Sequence, residues 1–300
     1  MKSASTLINN SHLIRAALVG HGISRSRTPL MHMAEGRAQG MEYQYDVFDT
    51  ADKPFCDLPL SEILSYAESE NYAGLNITHP FKVEVIPLLD QLSPQAKLID
   101  AVNTVVFDHG KRIGHNTDYS GFAAAIQNEM ADANKDHVLL LGAGGAGAAI
   151  ALALFDCGVE TLSVFDKRSQ LTRALVNQLV LARPNRNITG LNSLEDVDYQ
   201  NVDGVVNATP MGMDKYPGTA IDPEILPIST WVADIVYFPL DTLLLKRARQ
   251  HGCRVMNGAG MAIYQAVDAF RLLTGQEPNP QRFTDFFNQS CDEVLNERQC

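Results

Sequence analysis

Long apolar runs are missing from this 300-residue chain. No stretch approaches the ~18–20 consecutive apolar residues of a membrane-spanning helix. Basic residues are also in deficit: 24 Lys and Arg against 35 Asp and Glu, a formal net charge of −11. That balance argues against a nucleic-acid binder that tracks phosphates and against a polybasic membrane anchor. Cysteine is sparse. Cys56, Cys157, Cys253, Cys291 and Cys300 are scattered, odd in number and form no Cys-x-x-Cys pair. They suit reduced thiols in the cytoplasm, and no metal site is expected. No hydrophobic signal region precedes the polar Asn9-Asn10-Ser11-His12. The Asn-x-Thr triplets at Asn76, Asn187 and Asn207 are therefore not expected to carry glycans. Repeats and low-complexity segments are absent. What is present is an ordinary globular composition, 45% apolar and 20% charged, in a length that suits one large or two ordinary domains.

Short apolar runs alternate with amphipathic stretches. Strands are predicted at residues 14–20, 43–48 and 74–78, and helices at 29–39 and 61–69. The first helix has Pro29 in its first turn and Gly40 just past its end. Residues 81–92 carry Val85, Leu88, Leu89 and Leu92 at a helical period, which predicts another helix. Residues 102–107 and 112–114 flank Asp108-His109-Gly110-Lys111, a hairpin signal. The β-α-β-α-β order predicts a largely parallel, helix-covered sheet. A second unit follows Asp118. It has a connecting helix at 119–130, a polar loop at 131–136, strands at 137–142 and 161–166, and helices at 145–155 and 169–183. Further strands are predicted at 204–207, 232–236 and 254–256, giving a doubly wound dinucleotide-type domain. A helix at 261–274 is expected to pack back on the first unit. The last dozen residues are polar, and no role is read for them.

The strongest local signal is Leu139-Leu140-Leu141-Gly142-Ala143-Gly144-Gly145-Ala146-Gly147-Ala148. Glycine lacks the Cβ that would hold a pyrophosphate away, and the helix that follows offers unpaired N–H groups and a positive dipole end. The run leaves a predicted strand and opens a predicted helix, the context that makes such a motif meaningful. The competing explanation is a Gly-rich turn that only lets helix and strand pack. Asp166 ends the next strand, where an acidic side chain can accept hydrogen bonds from adenosine ribose hydroxyls.

Polar residues also gather at predicted strand ends in the first unit. Gly20-His21-Gly22-Ile23-Ser24-Arg25-Ser26-Arg27-Thr28-Pro29 offers hydroxyls before a helix start. These suit either an anion clamp or ordinary capping by Ser26 or Thr28. Asn76, Thr78 and Lys82 sit between a strand and a helix. A lysine shielded from water can exchange protons with a hydroxyl, although most lone lysines are simply solvated. Asp118 could hold such a lysine, cap the next helix, or do both.

Several segments then follow one another in a telling order: Ser26-Arg27-Thr28-Pro29, Asn76-Ile77-Thr78-His79-Pro80-Phe81-Lys82, Asp100-Ala101-Val102-Asn103-Thr104 and Asn116-Thr117-Asp118. The glycine run, Asn207-Ala208-Thr209-Pro210-Met211-Gly212, Asp234-Ile235-Val236-Tyr237 and Gly258-Ala259-Gly260-Met261-Ala262-Ile263-Tyr264-Gln265-Ala266 complete the set. Together they resemble the shikimate/quinate dehydrogenase family over nearly the whole chain. The alternation of elements and the late helix suggest an α/β protein of two lobes around a cleft. One is an N-terminal substrate domain, residues 10–118 with the C-terminal helix 261–290. The other is a Rossmann-type NAD(P)-binding domain, residues 119–260. The resemblance implies reversible oxidation of a ring hydroxyl of quinate or shikimate to the 3-dehydro product. A monomer or homodimer is expected, without nucleic-acid or membrane partners. By the resemblance, Lys82 and Asp118 form the catalytic dyad. Ser26 and Thr28 bind the substrate carboxylate. Asn76, Thr78, Asn103, Asp118 and Gln265 meet ring hydroxyls, and Tyr237 lies near the substrate. Gly142, Ala143, Gly144, Gly145, Ala146, Gly147, Asp166, Lys167 and Arg168 would hold the dinucleotide. Thr209, Ile235, Gly258 and Met261 would line its nicotinamide side.

Departures from the biosynthetic pattern point to the NAD-dependent quinate/shikimate branch. Thr28 stands where biosynthetic enzymes usually have Ser. Phe165-Asp166-Lys167-Arg168-Ser169 stands where they usually carry an Asn-Arg-Thr-like run for the 2′-phosphate of NADP. Asp166 favours a free ribose diol, so NAD is expected, with NADP as the weaker alternative through Lys167 and Arg168. The competing functions are an NADP-dependent biosynthetic shikimate dehydrogenase, an aminoshikimate dehydrogenase and a nucleotide sensor without turnover. The presence of both Lys82 and Asp118 disfavours the sensor.

Overall fold

The computed structural model describes residues 13–24 and 26–297, with side chains as far as Gln289. The N-terminal segment read for a signal, the domain start at residue 10, Arg25 and Cys300 lie outside the described residues, as does the side chain of Cys291.

Apolar runs that must be buried on both faces build the centre of each sheet. In the first sheet these are β1 (Ile14–Gly20) and β3 (Gly74–Ile77). The full order is β2 (Tyr43–Asp49), β1, β3, β5 (Thr104–Asp108), β6 (Lys111–His115) and β4 (Gln91–Leu92). Helices α1 (Thr28–Ala38), α2 (Leu60–Ser69) and α3 (Pro94–Ile99) connect its strands. The sheet is largely parallel, as expected: β1 pairs parallel with β2 and β3, and β4 with β6, while β5 runs against its neighbours β3 and β6. The expected hairpin joins β5 and β6 by a tight turn, where His109 (φ 48°) and Gly110 (φ 73°) are both left-handed and reverse the chain at once.

A correction concerns residues 81–92, which form turns and the short 3₁₀ helix Ile86–Leu88 instead of an α-helix. Pro87 has no N–H to donate and would clash with the carbonyl of Val83 in a continuous helix. The apolar residues are used all the same: Val85 is fully buried, with Phe81, Leu88, Leu89 and Leu92 packed around its core.

Every neighbouring pair in the second sheet is parallel. Its order is β12 (Val255–Met256), β11 (Trp231–Asp234), β10 (Gly204–Asn207), β7 (His137–Leu141), β8 (Thr161–Phe165) and β9 (Asn187–Gly190). This is a doubly wound dinucleotide sheet, whose order reverses between β7 and β10. A crevice outside the carboxyl ends of the strands is expected at that point. Around it lie α5 (Gly145–Asp156), α6 (Ser169–Ala182) and α7 (Leu243–His251).

Two helices join the sheets. α4 (Thr117–Glu129) and α8 (Ala259–Thr274) pack closely because glycines face the contact. A Cβ on Gly121 would lie 2.7 Å from the Gln265 nitrogen, and one on Gly260 would lie 2.9 Å from the Ala125 Cβ. Met261 of α8 belongs to the core of the second sheet, while Leu273 packs with Ala16, Leu18 and Tyr45 of the first. The C-terminal helix expected over 261–290 is broken: Gly275 (φ 67°) ends α8, Pro278 and Pro280 follow, and a separate helix α9 (Pro280–Glu297) docks Phe283 and Phe287 beside Met31 and Phe270.

Candidate active site

The polar ends of β3, β5 and β6 converge on one hydrogen-bonded network. Asn116 caps α4 by accepting the Tyr119 N–H at 3.2 Å. Asp118 is thus not the cap. It sits in the first helical turn, where the positive end of the helix favours a carboxylate. Lys82 leaves the turn after β3, and its carbonyl accepts the Val102 N–H at 2.8 Å. Its ammonium donates to Asp118 Oδ2 at 2.5 Å. The side chains of Lys82 and Asp118 are 24% and 8% exposed, so this is not a solvated surface pair. Asn103 Nδ2 donates to Asp118 Oδ1 at 2.9 Å, and Asn103 Oδ1 accepts the Thr117 N–H at 2.7 Å. The chain continues to Thr104, whose hydroxyl accepts from Asn76 Nδ2 at 2.9 Å. Asn76 Oδ1 accepts from the buried Tyr45 hydroxyl at 2.7 Å.

The hydroxyl-rich loop is shaped by a residue that the sequence reading passed over. Asp49 ends β2, and its carboxylate accepts the N–H groups of Gly22, Ile23 and Ala51 at 2.7, 2.7 and 2.9 Å. Burial opposes that charge, but these N–H groups outweigh it and hold the carboxyl below its ordinary value. Arg27, not Ser26 or Thr28, occupies the cap position of α1, and its side chain makes no capping bond. Ser26 Oγ accepts the Thr28 N–H only at 3.4 Å. Both hydroxyls thus stand beside an uncapped helix start, an arrangement suited to an anion. Thr78 adjoins this loop, since a Cβ on Gly20 would lie 2.4 Å from its methyl group. Burial pushes the Tyr237 phenol up, and it lies close enough to Lys82, Asp118 and Arg27 for their charges to act on it. Gln265, on α8, donates to the Ala262 carbonyl at 3.0 Å.

The glycine run fits a dinucleotide. Gly142 has φ +103°, and a Cβ there would lie 2.8 Å from the Ala208 carbonyl oxygen. Gly147 is a packing glycine: its Cβ would lie 2.1 Å from the Gly142 oxygen. Gly144 opens α5 with no side-chain cap and open space around its Cα, so the first-turn N–H groups are offered to an anion. Gly145 lies beside Ala101, two residues before Asn103 in the chain, with its Cβ position 3.3 Å from the Ala101 Cβ. The cradle and the Lys82–Asp118 pair thereby become neighbours. Asp166 Oδ2 accepts the Ala143 N–H at 3.0 Å and Oδ1 accepts the Arg168 N–H at 2.9 Å. Burial again opposes the charge, and those bonds hold the carboxyl below its ordinary value. Oδ2 retains a lone pair for a ribose hydroxyl, while Oδ1 also accepts from the Arg168 side chain. Arg168 is tethered to the same carboxylate. Its side chain turns back to Asp166 at 3.4 Å although it remains 66% exposed. Thr209 touches Gly142, and Gly258 lies against the Ile235 carbonyl.

Comparison with known proteins agrees with this geometry. The family model "Shikimate dehydrogenase substrate binding domain" matches residues 18–105. A quinate/shikimate dehydrogenase (NAD(+)) of Corynebacterium glutamicum strain R is 46% identical over 283 residues, covering 93% of this chain and 99% of that one. The chain belongs to the shikimate/quinate dehydrogenase family. The solved structure of a quinate dehydrogenase from Corynebacterium glutamicum in complex with NAD superposes with a TM-score of 0.87 at 46% identity, covering 92% of this chain and 99% of that one. NADP-dependent members are similar as well. A shikimate dehydrogenase (NADP(+)) of Pseudarthrobacter chlorophenolicus is 43% identical over 271 residues, 90% of this chain and 92% of that one. The substrate-domain match spans most of the first sheet and stops before β6.

Proposed function

We propose that the protein is an NAD-dependent quinate/shikimate dehydrogenase. The observation that carries the reading is the shielded Lys82–Asp118 ion pair beside a dinucleotide cradle. Residues 142–147 would hold the pyrophosphate, and Asp166 the adenosine ribose. Thr209, Ile235, Gly258 and Met261 would border the nicotinamide. Bound NAD supplies the hydride acceptor. Lys82 manages the other half of the oxidation. As its free amine it accepts the proton of the ring hydroxyl while the carbon gives up a hydride. As the ammonium it returns that proton in the reducing direction. Asp118 orients the Lys82 nitrogen, and Asn103 fixes Asp118. Ser26 and Thr28 hold the carboxylate at the α1 start. Asn76, Thr78, Asn103 and Gln265 orient the ring through its hydroxyls, with Tyr237 nearby.

In this reading residues 10–118 with 261–290 form the substrate unit and 119–260 the cofactor unit, in a cytoplasmic monomer or homodimer. The deciding experiment follows NADH formation with quinate, with shikimate and without substrate, and then repeats each with NADP. Substrate-dependent NADH formation with a higher kcat/KM for NAD is the expected result. A preference for NADP would replace the reading with a biosynthetic shikimate dehydrogenase. Turnover of neither substrate would overturn it.

A further inference from the structure

Asp234, the last residue of β11, is 1% exposed, and no role above makes use of its carboxylate. Oδ1 accepts from Asn207 Nδ2 at 2.9 Å and from the Val236 N–H at 3.1 Å, while Oδ2 accepts from the Thr242 hydroxyl at 2.8 Å. Asn207 ends the adjoining β10 and passes the constraint on. Its Nδ2 also donates to the Met211 carbonyl at 3.0 Å. Its Oδ1 accepts the Thr209 N–H at 3.0 Å and the Thr209 hydroxyl at 2.6 Å. The Thr209 oxygen in turn accepts the Met211 N–H at 3.2 Å. Gly212, at φ +103°, brings the loop back beside the carboxylate: a Cβ there would lie 3.6 Å from Asp234 Oδ2.

One buried anion therefore fixes both segments that leave the carboxyl ends of β10 and β11. The first carries Thr209, and the second carries Ile235 and Tyr237. We propose that Asp234 is a positioning residue for the dinucleotide, its ionised carboxylate setting the two loops that flank the nicotinamide end of the cleft. The proposal rests on the NAD reading above. Three donors need acceptors here, and a neutral carboxyl group supplies one acceptor fewer. The groups that face Asp234 are Asn207 on β10, Thr242 at the start of α7 and the Val236 N–H, and none of them is charged or titrates. Burial pushes the carboxyl up to about 6, against the pull of Thr242, Val236 and Asn207. The anion is thus present at neutral pH and is lost as pH falls through that value.

Calorimetric titration with NAD, above and below that pH, tests the proposal without relying on turnover. Asp234→Asn keeps the shape and removes the charge. At the higher pH its Kd for NAD is expected to rise roughly tenfold, the worth of one charge-assisted hydrogen bond. In steady-state assays KM for NAD follows, while kcat stays close to wild type. The wild-type weakening at low pH should shrink in the variant. Thr242→Val, which removes one donor and keeps the packing, should shift Kd the same way by less. Unchanged NAD affinity in Asp234→Asn, or the same pH dependence in wild type and variant, overturns the proposal. Failure of the wild type to bind NAD at either pH refutes the functional reading instead.

Discussion

Lys82, Asp166 and the clamp hydroxyls are the residues whose roles separate most cleanly in kinetics. Lys82→Ala removes the proton carrier but leaves the substrate's other contacts, so kcat should fall ~10²–10⁴-fold. Ser26→Ala and Thr28→Val remove carboxylate donors and should mainly raise KM for the substrate. Near-normal kcat in Lys82→Ala would show that another group carries the proton. Asp166→Ala should lower kcat/KM for NAD and narrow its lead over NADP, because the carboxylate that accepts from the diol and repels a 2′-phosphate is gone. It also frees Arg168, now tethered to that carboxylate at 3.4 Å, to meet the phosphate. An unchanged NAD to NADP ratio would count against Asp166 as the discriminating contact. Asp49 was not legible as a functional residue: a strand-end aspartate has many ordinary uses, and only the fold shows three backbone N–H groups converging on it.

Among the elements, α9 and the segment after β3 departed most from expectation. Pro87 was visible in the sequence, but the period of Val85, Leu88, Leu89 and Leu92 outweighed it. The steric veto decides, since one interior proline costs a helix about 3 kcal/mol. In sequence α9 merges with α8 into one helix over 261–290, because its separate docking depends on Phe283 and Phe287 and on an anchor far away in sequence. That anchor is Glu35 on α1, whose side chain is fully buried and accepts from Arg282 at 2.6 and 2.7 Å. Burial opposes the Glu35 charge, but Arg282, Gln39 and the Asn279 N–H together hold its carboxyl below the ordinary value. The stabilisation is complete above the ordinary glutamate range and is lost as pH falls through the lowered folded value. Arg282→Ala leaves the buried carboxylate short of its main partner. It should lower Tm at neutral pH by several degrees and reduce the loss on acidification. A melt unchanged at both pH values would show that α9 docks through its phenylalanines alone.

Across the whole molecule, the two sheets meet through α4 and α8, and the candidate site lies where their strand ends face each other. The loop after β10 reaches over to the β1–α1 loop, since a Cβ on Gly22 would lie 3.8 Å from Lys215 Nζ. A ligand held from both sides should stabilise the entire fold. NAD at a hundred times its Kd is expected to add about 2.7 kcal/mol, seen as a rise in Tm, and NADP at the same concentration should add less. Equal shifts would remove the basis for an NAD preference. The sequence by itself determined the doubly wound sheet, because buried parallel strands read as continuous apolar runs and the glycine run can serve few other geometries. It also supplied the Lys82–Asp118 pairing, through the ordered motifs of a known family. Only the tertiary structure decided what surrounds those residues. The Asp49 and Asp234 carboxylates, the Tyr45–Asn76 bond and the docking of α9 depend on groups distant in sequence that converge after folding. Local pattern carries periodicity and turn chemistry, but burial and hydrogen-bond partners are properties of the packed chain.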